Sequence, residues 1–94
     1  MIHEFLPEAG QRLAAFDVRA QADASAPGRV LAFFAQLGLT PSRVQMRRFD
    51  DELRINVTQD GLSEHAAEVI AEKLRAAVLV RAVYLEHQLC RVAA

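Results

Sequence analysis

The sequence has 94 residues, a length that suits one small domain with a single core. Apolar residues make up 52% and charged residues 24%, a balance that excludes an intrinsically disordered chain. The formal net charge of −1 gives no broad field that would attract polyanions, so neither nucleic acid nor a membrane is an expected partner.

The cysteine content and the N-terminal segment indicate a cytoplasmic protein. Cys90 is the single cysteine, so no internal disulfide can form. Residues 1–10 lack the basic segment and the continuous apolar stretch of a secretory signal. The longest apolar run, residues 30–35, is far shorter than the roughly 20 residues that a membrane-spanning helix needs.

The chain begins with an irregular arm, residues 1–12, in which Pro7 and Gly10 interrupt any period. From Leu13 onward apolar and polar residues alternate, which predicts a strand with one solvent-exposed face. The inward positions of this strand are Phe16, Val18, Ala20 and Ala22, and the outward positions are Asp17, Arg19, Gln21 and Asp23.

The next predicted element is a helix that begins near Pro27, because proline has the backbone angle of a first helical turn. Ser25 is the candidate cap. We expect this helix to run to Leu37, since Gly38 can adopt the left-handed conformation that ends helices. Its inward face is formed by Val30, Phe34 and Leu37, with Leu31 and Phe33 at the margins.

Two further strands form a predicted hairpin around a tight turn at Asp50-Asp51. The inward residues are Val44 and Met46 on one strand and Leu53, Ile55 and Val57 on the other. A second helix follows, with Ser63 as its cap and an apolar stripe formed by Ala66, Ile70 and Leu74. The last strand covers residues 80–86, with Val83 and Leu85 on one side and Ala82 and Tyr84 on the other.

This order of elements predicts a ferredoxin-like βαββαβ sandwich of the α+β class. Right-handed crossovers place both helices on one face of a four-stranded antiparallel sheet. The domain covers residues 13–86, between the arm and a tail of residues 87–94. A basic stripe on the uncovered face, formed by Arg19, Arg43, Arg47 and Arg54, is more typical of a solvated or protein-binding face than of a nucleic-acid site.

No motif indicates metal binding or nucleophilic catalysis. His87 and Cys90 form a lone His-x-x-Cys, too few ligands for a metal. Ser25, Ser42 and Ser63 stand where caps or turns require a hydroxyl group. We therefore expect no catalytic residue, no metal and no cofactor.

The turn before the first helix, residues 23–28, is the local feature best suited to a ligand. A helix start presents unpaired backbone N–H groups that attract a carboxylate or phosphate, and Gly28 permits close approach to the backbone. The same turn also has a purely structural interpretation, because Pro27-Gly28 suits the start of any helix.

Residues 26–31, Ala-Pro-Gly-Arg-Val-Leu, together with residues 38–40 and the strand containing Arg47-Arg48, resemble the ACT domain family, whose members commonly begin the first helix with Pro-Gly. The resemblance covers residues 16–85. It implies a non-catalytic regulatory module that forms a homodimer, often edge to edge, and binds a small effector such as an amino acid near the interface. The short chain is also similar to small regulatory subunits of acetolactate synthase, which implies a large catalytic subunit as a further partner.

By position, the resemblance implies an effector site formed by Asp23, Ser25, Ala26, Gly28, Arg29, Leu39 and Thr40. The chain departs from the family at Thr40-Pro41, where many members have Asn-Ile, so an amide that could hold the ligand is absent. Exposed aromatic residues are enriched at interfaces. The predicted subunit contacts are Phe33 and Tyr84, joined by Arg43, Gln45 and Arg47.

Three alternatives share this fold or size. A small acylphosphatase-like enzyme would need a phosphate-cradling turn, of which only Gly28 and Arg29 are present. An RNA-recognition domain would need outward aromatic residues on its central strands, where Asp17, Arg19, Arg54 and Asn56 stand. The third alternative is a protein-interaction module that binds no effector.

Overall fold

A computed structural model of the chain describes residues 11–90. Within this range the elements follow the order strand, helix, strand, strand, helix, strand. Their bounds are β1 Gln11–Gln21, α1 Ala26–Ala35, β2 Arg43–Phe49, β3 Glu52–Asp60, α2 Glu64–Arg75 and β4 Val80–Cys90. The predicted βαββαβ order is confirmed.

The strands form one sheet in the order β2-β3-β1-β4, and every neighbouring pair is antiparallel. Side chains alternate between buried and partly exposed along β1 and β3, and the buried set faces the helices. Both helices therefore lie on one face of the sheet. The opposite face, here called the open face, is covered by no element of residues 11–90, and the ferredoxin-like sandwich is confirmed.

The core lies between the two central strands and the helices. Its largest fully buried side chains are Phe16, Val18, Val30, Phe34, Ile55, Val57, Ile70 and Leu74. The inward positions predicted at Phe16, Val18 and Ala20 of β1 and at Leu53, Ile55 and Val57 of β3 are thus confirmed, whereas Ala22, also predicted to be inward, lies beyond the end of β1 and is only partly buried. Burial of these apolar groups is the main stabilising contribution to a domain of this size.

Helix α2 begins as the sequence predicts. The Ser63 hydroxyl accepts a hydrogen bond of 3.0 Å from the Ala66 N–H, which satisfies one donor at the helix start. Its buried stripe contains Ile70 and Leu74 together with Ala67 and Ala71, while Ala66 lies at the edge of the stripe. Neither helix among residues 11–90 is long and apolar enough to cross a membrane.

Helix α1 differs from its prediction at both ends. The Ser25 side chain makes no capping bond, because its hydroxyl donates to Asp23 instead. The helix ends at Ala35, so Leu37 lies beyond the last turn and is 53% exposed; its predicted inward position is wrong. Gly38 ends the segment with φ of 73°, as predicted.

The outer strands run further than the sequence pattern indicates. β1 begins at Gln11 and β4 ends at Cys90, so part of the predicted arm and residues 87–90 of the predicted tail belong to strands. A register shift opposite Arg19 and Ala20 accounts for the broken alternation near Val80. Beyond it, Val83 and Leu85 share one side of the strand, as predicted, and the structure shows that this side faces the helices. Residues 1–10 and 91–94, the rest of the arm and tail, lie outside the described range.

The β2–β3 hairpin turns at Asp50-Asp51 as predicted, with Phe49 paired to Glu52. Asp50 has φ of 55°, a left-handed conformation that aspartate tolerates better than most residues. The turn places β2 at one edge of the sheet, beside β3 and far from α2.

Candidate functional site

Strand β2 is exposed along its whole length, on both faces. Val44 and Met46 pair with the buried residues Val57 and Ile55, so they point to the helix side, as predicted. They are nevertheless 44% and 51% exposed, because neither helix extends over the edge strand. The prediction that they are inward is right about direction and wrong about burial. The helix side of β2 is therefore open beside α1.

This open space forms a groove between β2 and the turn that connects β1 to α1. Its volume is about 380 Å³, within the size range of small-molecule sites. The turn contributes Ala22, Asp23, Ala24 and Pro27, β2 contributes Met46 and Arg48, and β3 contributes Leu53. We call this space the effector groove. It has an apolar floor and one charged residue on each side.

The turn that forms one side of the groove is held in shape by hydrogen bonds. The Ala22 N–H donates to the Asp51 carbonyl over 2.8 Å, which ties the turn to the β2–β3 hairpin. Asp23 Oδ1 accepts from the Ser25 N–H at 2.9 Å and from the Ser25 hydroxyl at 2.7 Å. The Ser25 hydroxyl in turn accepts from Arg29 Nε at 3.3 Å. The predicted residues Asp23, Ser25 and Arg29 are thus brought together.

These bonds also set the charge of Asp23. The pKa of its carboxyl is lowered from the usual value, chiefly by the Ser25 hydroxyl and then by the Ser25 N–H, with a smaller contribution from Arg29. Asp23 is therefore ionised at neutral pH. Because both Ser25 bonds go to Oδ1, Oδ2 has no hydrogen-bond donor among residues 12–88. It is available to a ligand cation.

The start of α1 provides a donor next to this carboxylate. The Ala26 N–H donates to the Asp23 carbonyl and the Arg29 N–H to the Ser25 carbonyl, while Pro27 has no N–H. The Gly28 N–H has no protein acceptor within the described range, and its residue is exposed. It remains one of the unpaired N–H groups that a helix start offers to an anion.

Arg48 is a further candidate residue, absent from the predicted effector set. It lines the groove from β2 and makes no ion pair with any side chain that the structure describes. The alternation of Val44, Met46 and Arg48 contained the signal, since residues two apart on a strand share a face.

Leu39 and Thr40 lie away from the other predicted effector residues within one chain. They follow the far end of α1, whose ten residues span about 15 Å. Their segment is anchored to β3 instead, where Gln59 Nε2 donates to the Thr40 carbonyl over 3.3 Å. A single copy therefore does not assemble all seven predicted effector residues in one place.

The predicted contact residues fall on two surfaces. Arg43, Gln45, Arg47 and Tyr84 lie on the open face, where the Tyr84 ring is exposed and the Arg19 guanidinium lies 5.1 Å from its centroid. Phe33 lies on α1 and is partly buried against the core. Phe33 thus cannot share one flat interface with the other four.

Metal binding finds no support in the described part of the chain. The side chains of residues 12–88 form no cluster of three or more histidine, aspartate or glutamate groups that could hold an ion, and the Cys90 side chain lies outside the described part. His87 lies 3.9 Å from Glu68, on the helix side of β4. The groove itself offers one carboxylate, too few ligands for a stable site.

Comparison with solved structures confirms the architecture. The crystal structure of the ACT domain from GTP pyrophosphokinase of Chlorobium tepidum matches with a TM-score of 0.70 at 12% identity, over 81% of this chain and 99% of that one. The solution NMR structure of the same domain gives a TM-score of 0.69 at 12% identity, over 79% and 84% of the two chains.

The solution structure of the C-terminal domain of the MgtC protein from Mycobacterium tuberculosis matches with a TM-score of 0.64 at 16% identity, over 93% of this chain and 97% of that one. At these identities the matches establish the shared fold alone. Among curated proteins, none is similar enough in sequence to count as a relative.

The model of the ACT-like domain family matches residues 8–92, nearly the whole chain. ACT domains are typically regulatory modules that bind ligands, and the groove beside the first turn is consistent with that role. The resemblance noted in residues 26–31 is thereby confirmed at the level of the family, and this chain belongs to the ACT-like domain family.

Proposed function

We propose that the chain is a non-catalytic regulatory module that binds an amino acid, or a similar small zwitterion, in the effector groove. The proposal rests on one observation: a negative and a positive side chain line opposite sides of the same small groove. Asp23 stands on the turn and Arg48 on β2, and both line the groove. A ligand with a carboxylate and an ammonium group complements both residues at once.

The ligand's groups have definite partners in this proposal. The carboxylate accepts hydrogen bonds from Arg48, and a charged donor makes such bonds stronger than neutral ones. The ammonium group donates to Asp23 Oδ2. The ligand's side chain contacts Met46, Leu53 and Pro27, which form the apolar part of the groove.

The same strand that forms one side of the groove is the proposed dimer contact. β2 is an edge strand, so the backbone groups on its outer side have no strand partner within the described residues. It also exposes apolar side chains on the helix side, Val44 and Met46. Antiparallel pairing of β2 with a second copy would join two sheets and cover these side chains.

This arrangement links ligand binding to subunit arrangement. The groove shares Met46 with the proposed dimer contact, so a bound ligand can favour one arrangement of the pair over another. A ligand shifts such an equilibrium only by its difference in affinity for the two arrangements. We propose that the change in subunit arrangement regulates a partner biosynthetic enzyme. The sequence resemblance makes the catalytic subunit of acetolactate synthase one candidate for this partner.

The groove is tested by thermal unfolding and calorimetry with each proteinogenic amino acid. We expect at least one to raise the melting temperature, because a ligand that binds only the folded state stabilises it by mass action. The Arg48→Gln and Asp23→Asn variants should each lose this shift. Arg43→Gln is the matched control: it removes the same charge from β2, but on the open face and away from the groove.

The outcomes separate the interpretations. Loss of the shift in Arg48→Gln but not in Arg43→Gln supports the effector groove. Absence of a shift with every amino acid leaves the alternative of a protein-interaction module and contradicts the proposal. Hydrolysis of acyl phosphates or phosphate esters that depends on Arg29 would instead support an acylphosphatase-like enzyme.

A further inference from the structure

Three arginines stand side by side across the open face of the sheet. Arg47 on β2 pairs directly with Arg54 on β3, and Arg54 pairs directly with Arg19 on β1. Their side chains point to the open face, because the neighbouring residues in each strand face the core. We call this set the arginine row. Neighbouring strands are about 4.8 Å apart, so the row spans about 10 Å.

Such a row is unfavourable for the sheet by itself. Like charges directly opposite each other on adjacent strands repel, and this register creates two such pairs in succession. A row of this kind lowers stability unless something anionic compensates for it. The neighbouring carboxylates in the structure compensate only in part.

Two carboxylates lie close to the row. Asp17 Oδ2 accepts from Arg19 Nη2 at 3.1 Å, and Glu52 Oε2 accepts from Arg54 Nε at 3.1 Å. Glu52 is also shared with Arg81 at 3.6 Å. Arg47 makes no ion pair with any side chain of residues 12–88, so the row keeps a positive excess.

An aromatic ring holds two of the guanidinium groups in place. The Arg54 guanidinium carbon lies 4.5 Å from the centroid of the Phe49 ring, and that of Arg47 lies 5.2 Å from it. Cation–π contacts of this length are favourable. They restrict side chains that would otherwise be mobile, so less entropy is lost when a ligand binds.

A surface depression of about 480 Å³ lies over the row. Besides the arginines it is lined by Asp17, Met46 and Phe49, and by Gln45 and Asn56, whose side-chain amides can donate further hydrogen bonds. The depression is therefore rich in donors and has an excess of positive charge. Its volume suits a small molecule.

We propose that the arginine row is a second ligand site, distinct from the effector groove, and that it binds a small molecule carrying two linked phosphoryl groups. The planar guanidinium group matches phosphate oxygens in a bidentate manner. The row is about 10 Å long. This length is greater than that of one phosphoryl group and suits two that are linked. Inorganic pyrophosphate and a nucleoside diphosphate present this shared chemistry.

The test is calorimetric titration with inorganic pyrophosphate and, separately, with a nucleoside diphosphate, each to millimolar concentration at low and at physiological salt. Saturable binding of either supports the site, and tighter binding of the nucleotide shows that its base adds contacts. Arg47→Gln should weaken binding about tenfold or more, the effect expected for losing hydrogen bonds to a charged group.

Lys73→Gln is the matched control. Lys73 is exposed in the last turn of α2, on the other side of the sheet from the row, and makes no ion pair with any side chain of residues 12–88. The sheet and the helix layer separate it from the row, and the screening length at physiological salt is about 8 Å. The control should therefore bind pyrophosphate as the unmodified protein does.

The melting temperature of the ligand-free variant shows whether the substitution disturbs the fold. In the absence of ligand, Arg47→Gln should melt close to the temperature of the unmodified protein, because the substitution removes both the unfavourable like-charge pair with Arg54 and the favourable cation–π contact with Phe49. No saturable binding of either probe would overturn the proposal. So would equal weakening in Lys73→Gln, or binding of a single-stranded oligonucleotide without binding of pyrophosphate.

Discussion

Phe16 and Phe34 meet edge to face, with ring centroids 5.3 Å apart and ring planes at 81°. Phe16 lies on the central strand β1 and Phe34 on α1, and both are fully buried. Aromatic pairs in this geometry contribute energy beyond the apolar area that they bury. The pair therefore fixes α1 against the sheet and, with it, the position of the turn at the effector groove.

Replacement of Phe34 by alanine should lower the free energy of unfolding by about 3–5 kcal/mol, the usual cost of emptying a buried aromatic position. Urea denaturation measures this change. Phe33→Ala is the control, since its ring is the same but only partly buried against the core. A loss in Phe33→Ala as large as in Phe34→Ala would contradict the assignment of Phe34 to the core.

The two serines before the helices should respond differently to alanine. Ser63 caps α2, so Ser63→Ala should cost about 1 kcal/mol of stability. Ser25 makes no capping bond to α1 and is exposed, so Ser25→Ala should stay within about 0.5 kcal/mol. Chemical denaturation of both variants gives the comparison. Equal losses would mean that Ser25 caps α1 in solution.

Two glycines should give changes of opposite sign. Gly38 has φ of 73°, so Gly38→Ala should destabilise the protein by about 1 kcal/mol. Gly28 lies in the first turn of α1, and an added Cβ would meet no atom within 4 Å. Gly28→Ala should therefore stabilise the protein by about 0.4–1 kcal/mol, because the unfolded chain loses freedom. Melting temperatures of the two variants check the signs.

The hydrogen bonds to Asp23 should be detectable through its pKa in a pH titration. Its pKa in the folded protein is lowered, chiefly by the Ser25 hydroxyl. A lowered folded-state pKa contributes stability above the unfolded-state pKa, and this contribution is lost as the pH falls through the folded value. NMR titration of the Asp23 carboxyl group should give a higher midpoint in Ser25→Ala than in the unmodified protein. An unchanged midpoint would contradict the role of the hydroxyl.

Strand alternation predicted the direction of side chains better than their burial. β1 and β3 were predictable because they are central strands, so the inward side of each is also the covered side. β2 has the same alternation, yet Val44 and Met46 are exposed. The alternation of residues in a strand indicates which side of the sheet each residue faces, but not whether a helix covers that side. The alternation also places Arg48 on the helix side, but only the packing of the turn against β2 brings it beside Asp23.

The effector site implied by the family resemblance includes residues that are distant from each other within one chain. Asp23 and Thr40 are both family site positions, but they lie near opposite ends of α1. Local pattern gives no distance between such segments, which depends on the packing of the helix across the sheet. The turn itself, in which Asp23, Ser25 and Arg29 are hydrogen-bonded, is local in sequence and was therefore predictable.

The proposed β2 pairing makes a prediction about subunit association. Met46 is the middle residue of Arg43–Phe49, so pairing centred on the strand brings the two Met46 side chains together at the symmetry axis. Met46→Lys would place two like charges there and should weaken the dimer at least about tenfold, since close like charges repel strongly. Sedimentation velocity at micromolar concentration measures the dissociation constant.

Val69→Lys is the control for this experiment, because Val69 on α2 is similarly exposed, at 39% against 51% for Met46, but lies far from β2. It should leave the dissociation constant unchanged. Weakening by Met46→Lys alone supports edge pairing through β2. If Val69→Lys separates the subunits and Met46→Lys does not, the contact lies on the helix layer, and the effector groove then stays open to solvent beside an unpaired strand.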